Sequence, residues 1–357
     1  MISFYPGPSR VYDAIPNYVK TAHRKGILSM NHRSDEFMKL CGQTVGLLKD
    51  RLLVPEAYKV FFLSSATECW EVIAQSIIQS GSHHIYNGAF GEKWFDYTRK
   101  LRKEAQGHPF DREQVIDPTG FAFSDGDLVC ITQNETSNGT QVSNEIIADI
   151  RAINPHHLIA VDATSSMAGI FLDFSAADIW YASVQKCFGL PAGLAVMICS
   201  PKAIERVQQK SESSHYNSMM LLNSMMDKWQ TPYTPNVLGI YLLMRTLKDS
   251  DQIRKTERVI RERHRSWSEF ISKSKVLEHL VKNEWVHSFT VLAVRGNDIA
   301  NLKMRAKQAG FLLGEGYGDL KKDTFRIANF PAITNREMRK LMRFLRQFQN
   351  IAENSDL

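Results

Sequence analysis

One lysine stands where a side-chain amine could do chemistry. Lys186 follows a short β-branched and aromatic run, Ile179 to Ser183, and precedes a turn rich in glycine and proline that ends at Gly193. A strand that ends in Gln185 and Lys186 presents the amine at a sheet edge, where open α/β folds bind their ligands. An amine held there could form a Schiff base with an aldehyde cofactor. The alternative for any single lysine is a solvated surface position.

Two other strand ends carry groups that could serve the same cofactor. Ser65, Ala66 and Thr67 follow an apolar run and open a helical pattern, so their N–H groups and hydroxyls could hold an anion. An ordinary N-cap explains them as well. Asp162 ends another apolar run, and its carboxylate could pair with a protonated ring nitrogen or cap a helix. No His, Asp or Glu cluster with metal-ligand spacing lies nearby, so we predict no metal site.

Three further positions could recognise a ring or an anion. Phe90 lies between two glycines and could offer a flat face for stacking, although a core phenylalanine in a turn fits too. Arg326 lies inside an apolar strand pattern, so it needs a partner, either a substrate carboxylate or an internal acid. His32 and Arg33 form a second cationic pair, and Ser34 with the acids after it also fits a capped helix start.

The elements that must position these residues alternate along the first two thirds of the chain. Short apolar runs are separated by helical patterns between about residues 56 and 200. This alternation predicts an α/β fold, a three-layer sandwich around a mostly parallel sheet. The strands are expected at 58–63, 127–132, 158–162, 179–183 and 194–199, with a helix from Thr67 to Gln79.

The last third has a different pattern. A long, highly charged helical stretch from Asn236 to about Ser274 predicts a bridging helix. Strands at 285–294 and 324–328 and helices at 299–310 and 335–350 then predict a compact α+β unit. We therefore expect an N-terminal segment near the cleft at 1–14, a large domain at 15–245 and a small C-terminal α+β domain at 246–357.

Composition narrows the class of protein. The chain has 357 residues, 43% of them hydrophobic and 23% charged, which is typical of a globular protein. Its net charge is +6 without a basic tail, so a nucleic-acid partner is not expected. The five cysteines show no CxxC spacing and we find no leader pattern, which together favour a cytoplasmic protein. No apolar run approaches membrane-spanning length, so no membrane partner is expected. A non-enzymatic basic binding protein is the competing class, based on the charge and the basic stretch 336–346.

In this order along the chain, the motifs resemble the class V pyridoxal-phosphate-dependent aminotransferases of fold type I over essentially the whole length. Within that family the pattern is most similar to the phosphoserine aminotransferases. The resemblance implies pyridoxal 5'-phosphate as cofactor. It also implies ping-pong transamination between O-phospho-L-serine and 2-oxoglutarate in serine biosynthesis. An obligate homodimer with active sites at its interface is implied as well.

The resemblance also implies a role for each candidate residue. Lys186 would carry the internal aldimine and act as general base, and Asp162 would pair with the pyridine nitrogen. Phe90 would stack on the ring, the residues Ser65, Ala66 and Thr67 would hold the cofactor phosphate, and Thr136 and Gln185 would lie near the phenolic oxygen. Thr231 would reach the cofactor phosphate of the neighbouring subunit. Arg326 would bind the substrate carboxylate, and His32 and Arg33 would approach the distal phosphate from the partner chain.

One loop departs from the phosphoserine pattern. That branch carries a His-Arg pair shortly before the carboxylate arginine, whereas this chain has the loop 316–324, which is more like the alanine– and serine–glyoxylate aminotransferases. Lys321 or Lys322 could replace the lost charge, but neither has the arginine fork. The alternative function is therefore an alanine– or serine–glyoxylate aminotransferase. Gln185, where desulfurases of the same fold usually have histidine, argues against a cysteine desulfurase.

Overall fold

Two β-sheets organise the part of the chain that the computed structural model describes, residues 1–355. Their strands, together with a two-stranded hairpin, are β1 (Ile2–Phe4), β2 (Lys59–Leu63), β3 (Ser82–Tyr86), β4 (Ala105–Pro109), β5 (Leu128–Thr132), β6 (Asn134–Glu135), β7 (Thr140–Gln141), β8 (Leu158–Asp162), β9 (Ile179–Ser183), β10 (Ala195–Cys199), β11 (Leu277–His279), β12 (Val291–Gly296), β13 (Phe311–Glu315) and β14 (Thr324–Ala328).

The larger sheet has seven strands in the order β2-β10-β9-β8-β5-β3-β4. Every neighbouring pair is parallel except those of β10, which runs antiparallel to β2 and to β9. The prediction of an α/β fold with a mostly parallel sheet is confirmed. Leu63 and Ser183 both lie opposite Ala195, and Thr132 lies opposite Asp162. The chain segments that follow these strand ends therefore emerge at one edge of the sheet.

The smaller sheet has five strands in the order β1-β13-β14-β12-β11. Its first strand comes from the N-terminus and pairs in parallel with β13, with Ile2 opposite Phe311. Arg326 lies in β14, between Gly314 on one side and Ala293 on the other. This arrangement places the arginine in the middle of the sheet, where its side chain is 5% exposed.

The helices are α1 (Ile15–Arg24), α2 (Asp35–Leu52), α3 (Ala66–Ser76), α4 (Ala89–Leu101), α5 (Asn144–Ile153), α6 (Pro201–Lys210), α7 (Met219–Met226), α8 (Val237–Asp249), α9 (Ile253–Ser272), α10 (Ile299–Gln308) and α11 (Asn335–Ser355). Several start as the sequence dictates, with a serine that caps the first turn. The hydroxyls of Ser34, Ser65, Ser143 and Ser200 accept hydrogen bonds from the backbone N–H three residues later.

Two predicted elements are wrong in their extent. The long helix from Asn236 to about Ser274 is two helices, because Ser250 turns to extended backbone and its hydroxyl donates to the Leu247 carbonyl. Serine competes in this way with the helical hydrogen bonds. The strand predicted from Trp285 starts only at Val291, since Asn283 accepts the Trp285 N–H and caps a short 3-10 turn.

The buried apolar side chains form two main clusters, and α9 contributes to both. Ile253 and Ile260 belong to the cluster around the seven-stranded sheet, whereas Trp267 and Ile271 pack in the cluster of the five-stranded sheet. The domain boundary at 245/246, which falls inside α8, stays a prediction. In the residues that the structure describes, no helix is long and apolar enough to cross a membrane.

Asp178, just before β9, bonds to β8, to α5 and to the N-cap of α6, so its removal should be costly. Its carboxylate accepts hydrogen bonds from the Ile159 N–H and the Ser200 hydroxyl, both at 2.9 Å, and pairs with Arg151. Because Asp178→Ala would remove the acidic partner of Arg151 and leave the Ile159 N–H and the Ser200 hydroxyl without their acceptor, we expect a loss of about 3 kcal/mol or more in the free energy of urea unfolding.

Asp96→Ala serves as the matched control, because Asp96 pairs with Arg99 at an exposed position. That variant should stay within about 0.5 kcal/mol of the wild type. Equal effects of the two substitutions would contradict the role assigned to Asp178.

Candidate active site

A cavity of about 320 Å³ opens at the edge of the larger sheet where the strand ends meet, within reach of the smaller sheet. Its volume falls at the lower end of the roughly 300–1,000 Å³ typical of small-molecule sites. Nine residues that the sequence singles out line it together: Ser65, Ala66, Thr67, Phe90, Thr136, Asp162, Gln185, Lys186 and Arg326. His32, Arg33 and Thr231 do not line it.

The amine of Lys186 is buried among hydroxyl groups. Its side chain is 7% exposed, and Nζ donates to Thr136 Oγ1 at 2.9 Å and to Ser165 Oγ at 2.8 Å. Burial lowers the pKa of Lys186 to about 8, although the negative charges of Asp162 and Glu135 oppose the shift. The amine is therefore able to lose its proton near neutral pH, as a nucleophilic lysine must.

Two buried carboxyl groups lie near this amine. Burial raises the pKa of Asp162, while the hydrogen bond from the Thr164 N–H and the charge of Lys186 oppose that rise. The Thr164 N–H donates to Asp162 Oδ1 at 2.9 Å, which fixes the carboxylate at the end of β8. Burial also raises the pKa of Glu135, against the hydrogen bonds that it accepts from Ser137.

Glu135 holds Phe90 in place. Its Oε2 accepts the backbone N–H groups of Phe90 and Gly91, both at 3.1 Å, at the start of α4. A Cβ at Gly88 would lie 2.5 Å from Glu135 Cγ, so only glycine lets the carboxylate approach. The Phe90 ring consequently faces the cavity, with its centroid 5.2 Å from Lys186 Nζ.

The start of α3 forms another wall. Ser65 is the N-cap and accepts the Glu68 N–H at 3.1 Å, and the Ala66 N–H donates to Ser183 Oγ at 2.7 Å. Thr67 is exposed, and among the described residues its hydroxyl has no hydrogen-bond partner. The capping interpretation is therefore correct for Ser65, while the helix start still presents a hydroxyl donor to the cavity.

Arg326 closes the site from the smaller sheet. Its Nε donates to the Glu315 carbonyl at 2.7 Å and one terminal nitrogen donates to the Thr136 carbonyl at 2.8 Å. Among residues 1–355, no carboxylate lies within salt-bridge distance of this guanidinium, so the internal acid partner that we considered is absent. Burial lowers the pKa of Arg326 but leaves it a cation aimed at the cavity.

The candidates outside the cavity form a group of their own. Arg33 donates to Gln230 Oε1 at 2.8 Å, so the helix start at Ser34 lies against the segment that contains Thr231. Thr231 is 1% exposed, and its hydroxyl donates to the Tyr233 carbonyl at 2.6 Å. His32 contacts Phe37 edge-to-face at 6.5 Å between ring centroids. Within one chain, none of the three reaches Lys186.

Sequence reasoning missed several residues of the cavity. Gly7 lies directly over the lysine, because a Cβ there would be 2.9 Å from Lys186 Cε. Tyr317 lies between Phe90, at 5.3 Å between ring centroids, and the Arg326 guanidinium, at 5.7 Å from its ring. The tyrosine of the loop 316–324 was available as a signal, since that loop already stood out. Gly7 falls in the segment 1–14 that we expected near the cleft, although nothing in the sequence singles it out there.

Three comparisons place the chain among known proteins. The family model described as aminotransferase class-V matches residues 6–310. A phosphoserine aminotransferase of Corynebacterium glutamicum (strain R) is 26% identical over 330 residues, which cover 88% of this chain and 86% of that protein. The crystal structure of a phosphoserine aminotransferase from Cytophaga hutchinsonii is 32% identical, with a TM-score of 0.93 over 97% of this chain and 98% of that one.

A more distant structure has the same fold. The alanine–glyoxylate aminotransferase of Nostoc sp. superimposes with a TM-score of 0.82 over 97% of this chain and 94% of that chain, at 18% identity. At that identity the likeness concerns the fold alone.

The lowered pKa of Lys186 can be measured through its reactivity. In the folded, cofactor-free protein, reductive methylation of Lys186 by formaldehyde with cyanoborohydride as reductant should rise with pH and level off above about 8, because the neutral amine is the reactive form. In urea-unfolded protein the same peptide should follow an ordinary lysine pKa of about 10.4. Peptide mass spectrometry gives both profiles, and identical profiles would contradict a pKa lowered by burial.

Proposed function

The chain belongs to the class V aminotransferases, and we propose that it transfers the amino group of O-phospho-L-serine to 2-oxoglutarate with pyridoxal 5'-phosphate as its cofactor. The observation that carries the proposal is one cavity that holds Lys186, Asp162 and Arg326 together. The phosphoserine aminotransferases of C. glutamicum and C. hutchinsonii, similar over most of their length, support the choice of substrate.

The cavity fits the proposed cofactor. Lys186 supplies an amine that is neutral at a mildly alkaline pH, and Asp162 supplies a carboxylate for a ring nitrogen. Phe90 offers a ring face, and Ser65 to Thr67 offer a helix N-terminus for a phosphate. The missing Cβ of Gly7 leaves the lysine stem room that any other residue would take. Bound there, pyridoxal phosphate would supply a reactive aldehyde and a ring that withdraws electrons.

The residues around Lys186 would position and move one proton. Thr136 and Ser165 accept hydrogen bonds from Nζ and fix its direction. The neutral amine would take the proton from the substrate Cα and pass it on within the first half-reaction, and in the second it would deliver a proton to the Cα of the new amino acid, as a general acid–base group whose pKa lies near the working pH. Asp162 would keep a proton on the ring nitrogen.

Two cations would recognise the two ends of the substrate. Arg326 would bind its carboxylate, since the guanidinium lacks an acidic partner among the described residues. For the phosphate we propose Lys93, whose Nζ donates to the Tyr317 hydroxyl at 2.6 Å beside the cavity. Like Lys93, the lysines Lys321 and Lys322 that we considered from the sequence are exposed and do not line the cavity, but among the described residues neither donates a hydrogen bond to a cavity-lining side chain as Lys93 does.

We further propose a homodimer in which the partner supplies His32, Arg33 and Thr231. These residues adjoin one another around the Arg33–Gln230 contact but lie outside the cavity of their own chain. Trp229, 41% exposed, belongs to the same region and would be covered in a dimer. A cytoplasmic location is also proposed, in line with the five free, buried cysteines of the described residues.

The substrate is tested by comparing amino donors on the cofactor-loaded protein. We expect a higher kcat/KM for phosphoserine than for alanine or serine. Lys93→Met should lower the phosphoserine value about tenfold, because a charge-assisted hydrogen bond to the phosphate is lost. The same variant should leave the alanine value unchanged, since alanine has no distal anion.

Lys322→Met is the matched control for Lys93, and Lys186→Ala gives the inactive baseline. If kcat/KM for alanine or serine with glyoxylate equals or exceeds the value for phosphoserine, the phosphoserine proposal is wrong. The alanine– or serine–glyoxylate aminotransferase suggested by the loop 316–324 would then be the better assignment. Transamination by Lys186→Ala at the wild-type rate, or a protein that gains no yellow colour with pyridoxal phosphate, would contradict the whole proposal and favour a binding protein.

The shared site is tested by mixing two inactive variants. Lys186→Ala and Arg33→Met should each be inactive or nearly so. Co-expression should restore about a quarter of the wild-type activity, because half of randomly paired dimers are hybrids with one intact site out of two.

Each variant expressed alone, at the same concentration, is the control. A hybrid preparation without activity would contradict a site shared between chains. If Arg33→Met expressed alone keeps wild-type activity, Arg33 does not contribute to the site.

A further inference from the structure

A second cavity lies next to the turn that follows Lys186, on the side of the N-terminal segment. It measures about 460 Å³ and is lined by Tyr12, by the end of α8 and the start of α9, and by the loop 331–334 before α11. Of the residues that the structure describes, none lines both this cavity and the Lys186 pocket. Tyr12 adjoins the turn, because its N–H donates to the Gly189 carbonyl at 3.0 Å and a Cβ at Gly189 would lie 2.6 Å from its ring. The two cavities are therefore close neighbours but separate sites.

Arg263 brings a buried positive charge into the second cavity. It lines the cavity, and it is 8% exposed. No carboxylate of the described residues lies within salt-bridge distance of its guanidinium, whose Nε and Nη1 donate to Asn335 Oδ1 at 2.5 Å and to the Phe330 carbonyl at 3.4 Å. Its Nη2 has no hydrogen-bond partner among residues 1–355 and is not one of the unpaired atoms that are sealed from solvent. Buried charges are ordinarily paired, so this open edge of the guanidinium points to a ligand with an anionic group.

Asp249 supplies a negative charge at the mouth of the same cavity. Its side chain is exposed and accepts a hydrogen bond from the neutral Tyr18 hydroxyl, while no cation of the described residues lies within salt-bridge distance. The other two carboxylates that line the cavity, Asp13 and Asp251, each pair with a basic side chain at 2.8 Å. The cavity therefore holds one uncompensated cation inside and one uncompensated anion at its mouth.

The walls between these two charges are largely apolar. They carry the rings of Tyr12 and Tyr18 and five aliphatic residues: Ala14, Val259, Ile260, Pro331 and Ala332. A hydrocarbon side chain of a ligand would lose water against these walls, which favours binding. A ligand that fits has a small apolar body and two opposite charges.

Both charges are held in place by the protein itself. The contacts of Arg263 with Asn335 and Phe330 fix the guanidinium against the start of α11. The hydrogen bond from Tyr18 fixes Asp249 of α8 against α1. A site whose charged groups are already oriented binds its ligand at a smaller entropic cost.

We propose that the second cavity binds a free apolar amino acid, with its carboxylate on Arg263, its ammonium group on Asp249 and its side chain against the aliphatic wall. Charge-assisted hydrogen bonds would hold both ends of this zwitterion. A ligand with an additional negative charge would be repelled by Asp249, and a simple amine would leave Arg263 without a partner. Neither contact uses Lys186 or Arg326, so the proposal goes beyond the transamination.

The test is a calorimetric titration with glycine, alanine, valine and leucine. The cofactor-loaded protein is first treated with borohydride, which reduces the bond between Lys186 and pyridoxal phosphate and so stops transamination; protein that takes up no cofactor is titrated untreated. At least one amino acid should bind saturably with a Kd below about 1 mM. Its analogue without the amino group should bind about tenfold more weakly, because the hydrogen bond to Asp249 is lost.

Two substitutions assign the contacts. Arg263→Met should weaken binding of the amino acid about tenfold or more by removing the partner of its carboxylate. Asp249→Asn should weaken the amino acid about tenfold but leave the analogue without the amino group unchanged, a difference that a general loss of structure would not produce. The matched controls are Arg258→Met and Asp149→Asn, at exposed residues of α9 and α5, and both should bind like the wild type.

Absence of saturable binding for all four amino acids would overturn the proposal. Binding that Arg326→Met abolishes and Arg263→Met leaves unchanged would overturn it too, because the ligand would then lie in the Lys186 pocket. If Arg263→Met does not fold, Asp249→Asn decides alone, since its side chain is exposed. Equal weakening of the amino acid and of its analogue by Asp249→Asn would then contradict the proposed contact.

Discussion

Burial of an amine that has to be able to lose its proton is the constraint on which the rest of the site depends. Lys186 contacts two hydroxyls, of Thr136 and Ser165, and no carboxylate of the described residues is hydrogen-bonded to it. A carboxylate in direct contact would hold the proton on the amine. Asp162 and Glu135 lie close enough to raise its pKa, and burial still prevails. The hydroxyls orient the amine without adding charge.

Much of the fold could be predicted because the buried strands read as short, continuous apolar runs. Strands β8, β9 and β14 begin and end at the predicted residues. Local patterns could not show where side chains interrupt a helix, as Ser250 does between α8 and α9. They also could not show that β1 belongs to the smaller sheet, because its partner β13 lies near the other end of the chain.

The residues of the site also divide into those that the sequence could predict and those that it could not. Asp162 and Lys186 could be found because parallel strands bring their carboxyl ends to one edge, so position along the strand indicates position in space. Ser165 could not be chosen over Ser166, since both follow Asp162 in the same turn and only packing brings one to Nζ. Gly7 and Tyr317 come from distant segments. The places of His32, Arg33 and Thr231 depend on a second chain.

The pairing of β1 with β13 has a consequence for the order in which the molecule folds during synthesis. Residues 5–8 line the Lys186 pocket, and the strand before them is held by pairing Ile2 with Phe311. Closing a loop of nearly the whole chain costs entropy that the final contacts must offset. On the ribosome, the seven strands of the larger sheet are all available while β13 has yet to be synthesised. Strand β1 is therefore among the last strands to find its place, and the pocket is completed only after β13 has been synthesised.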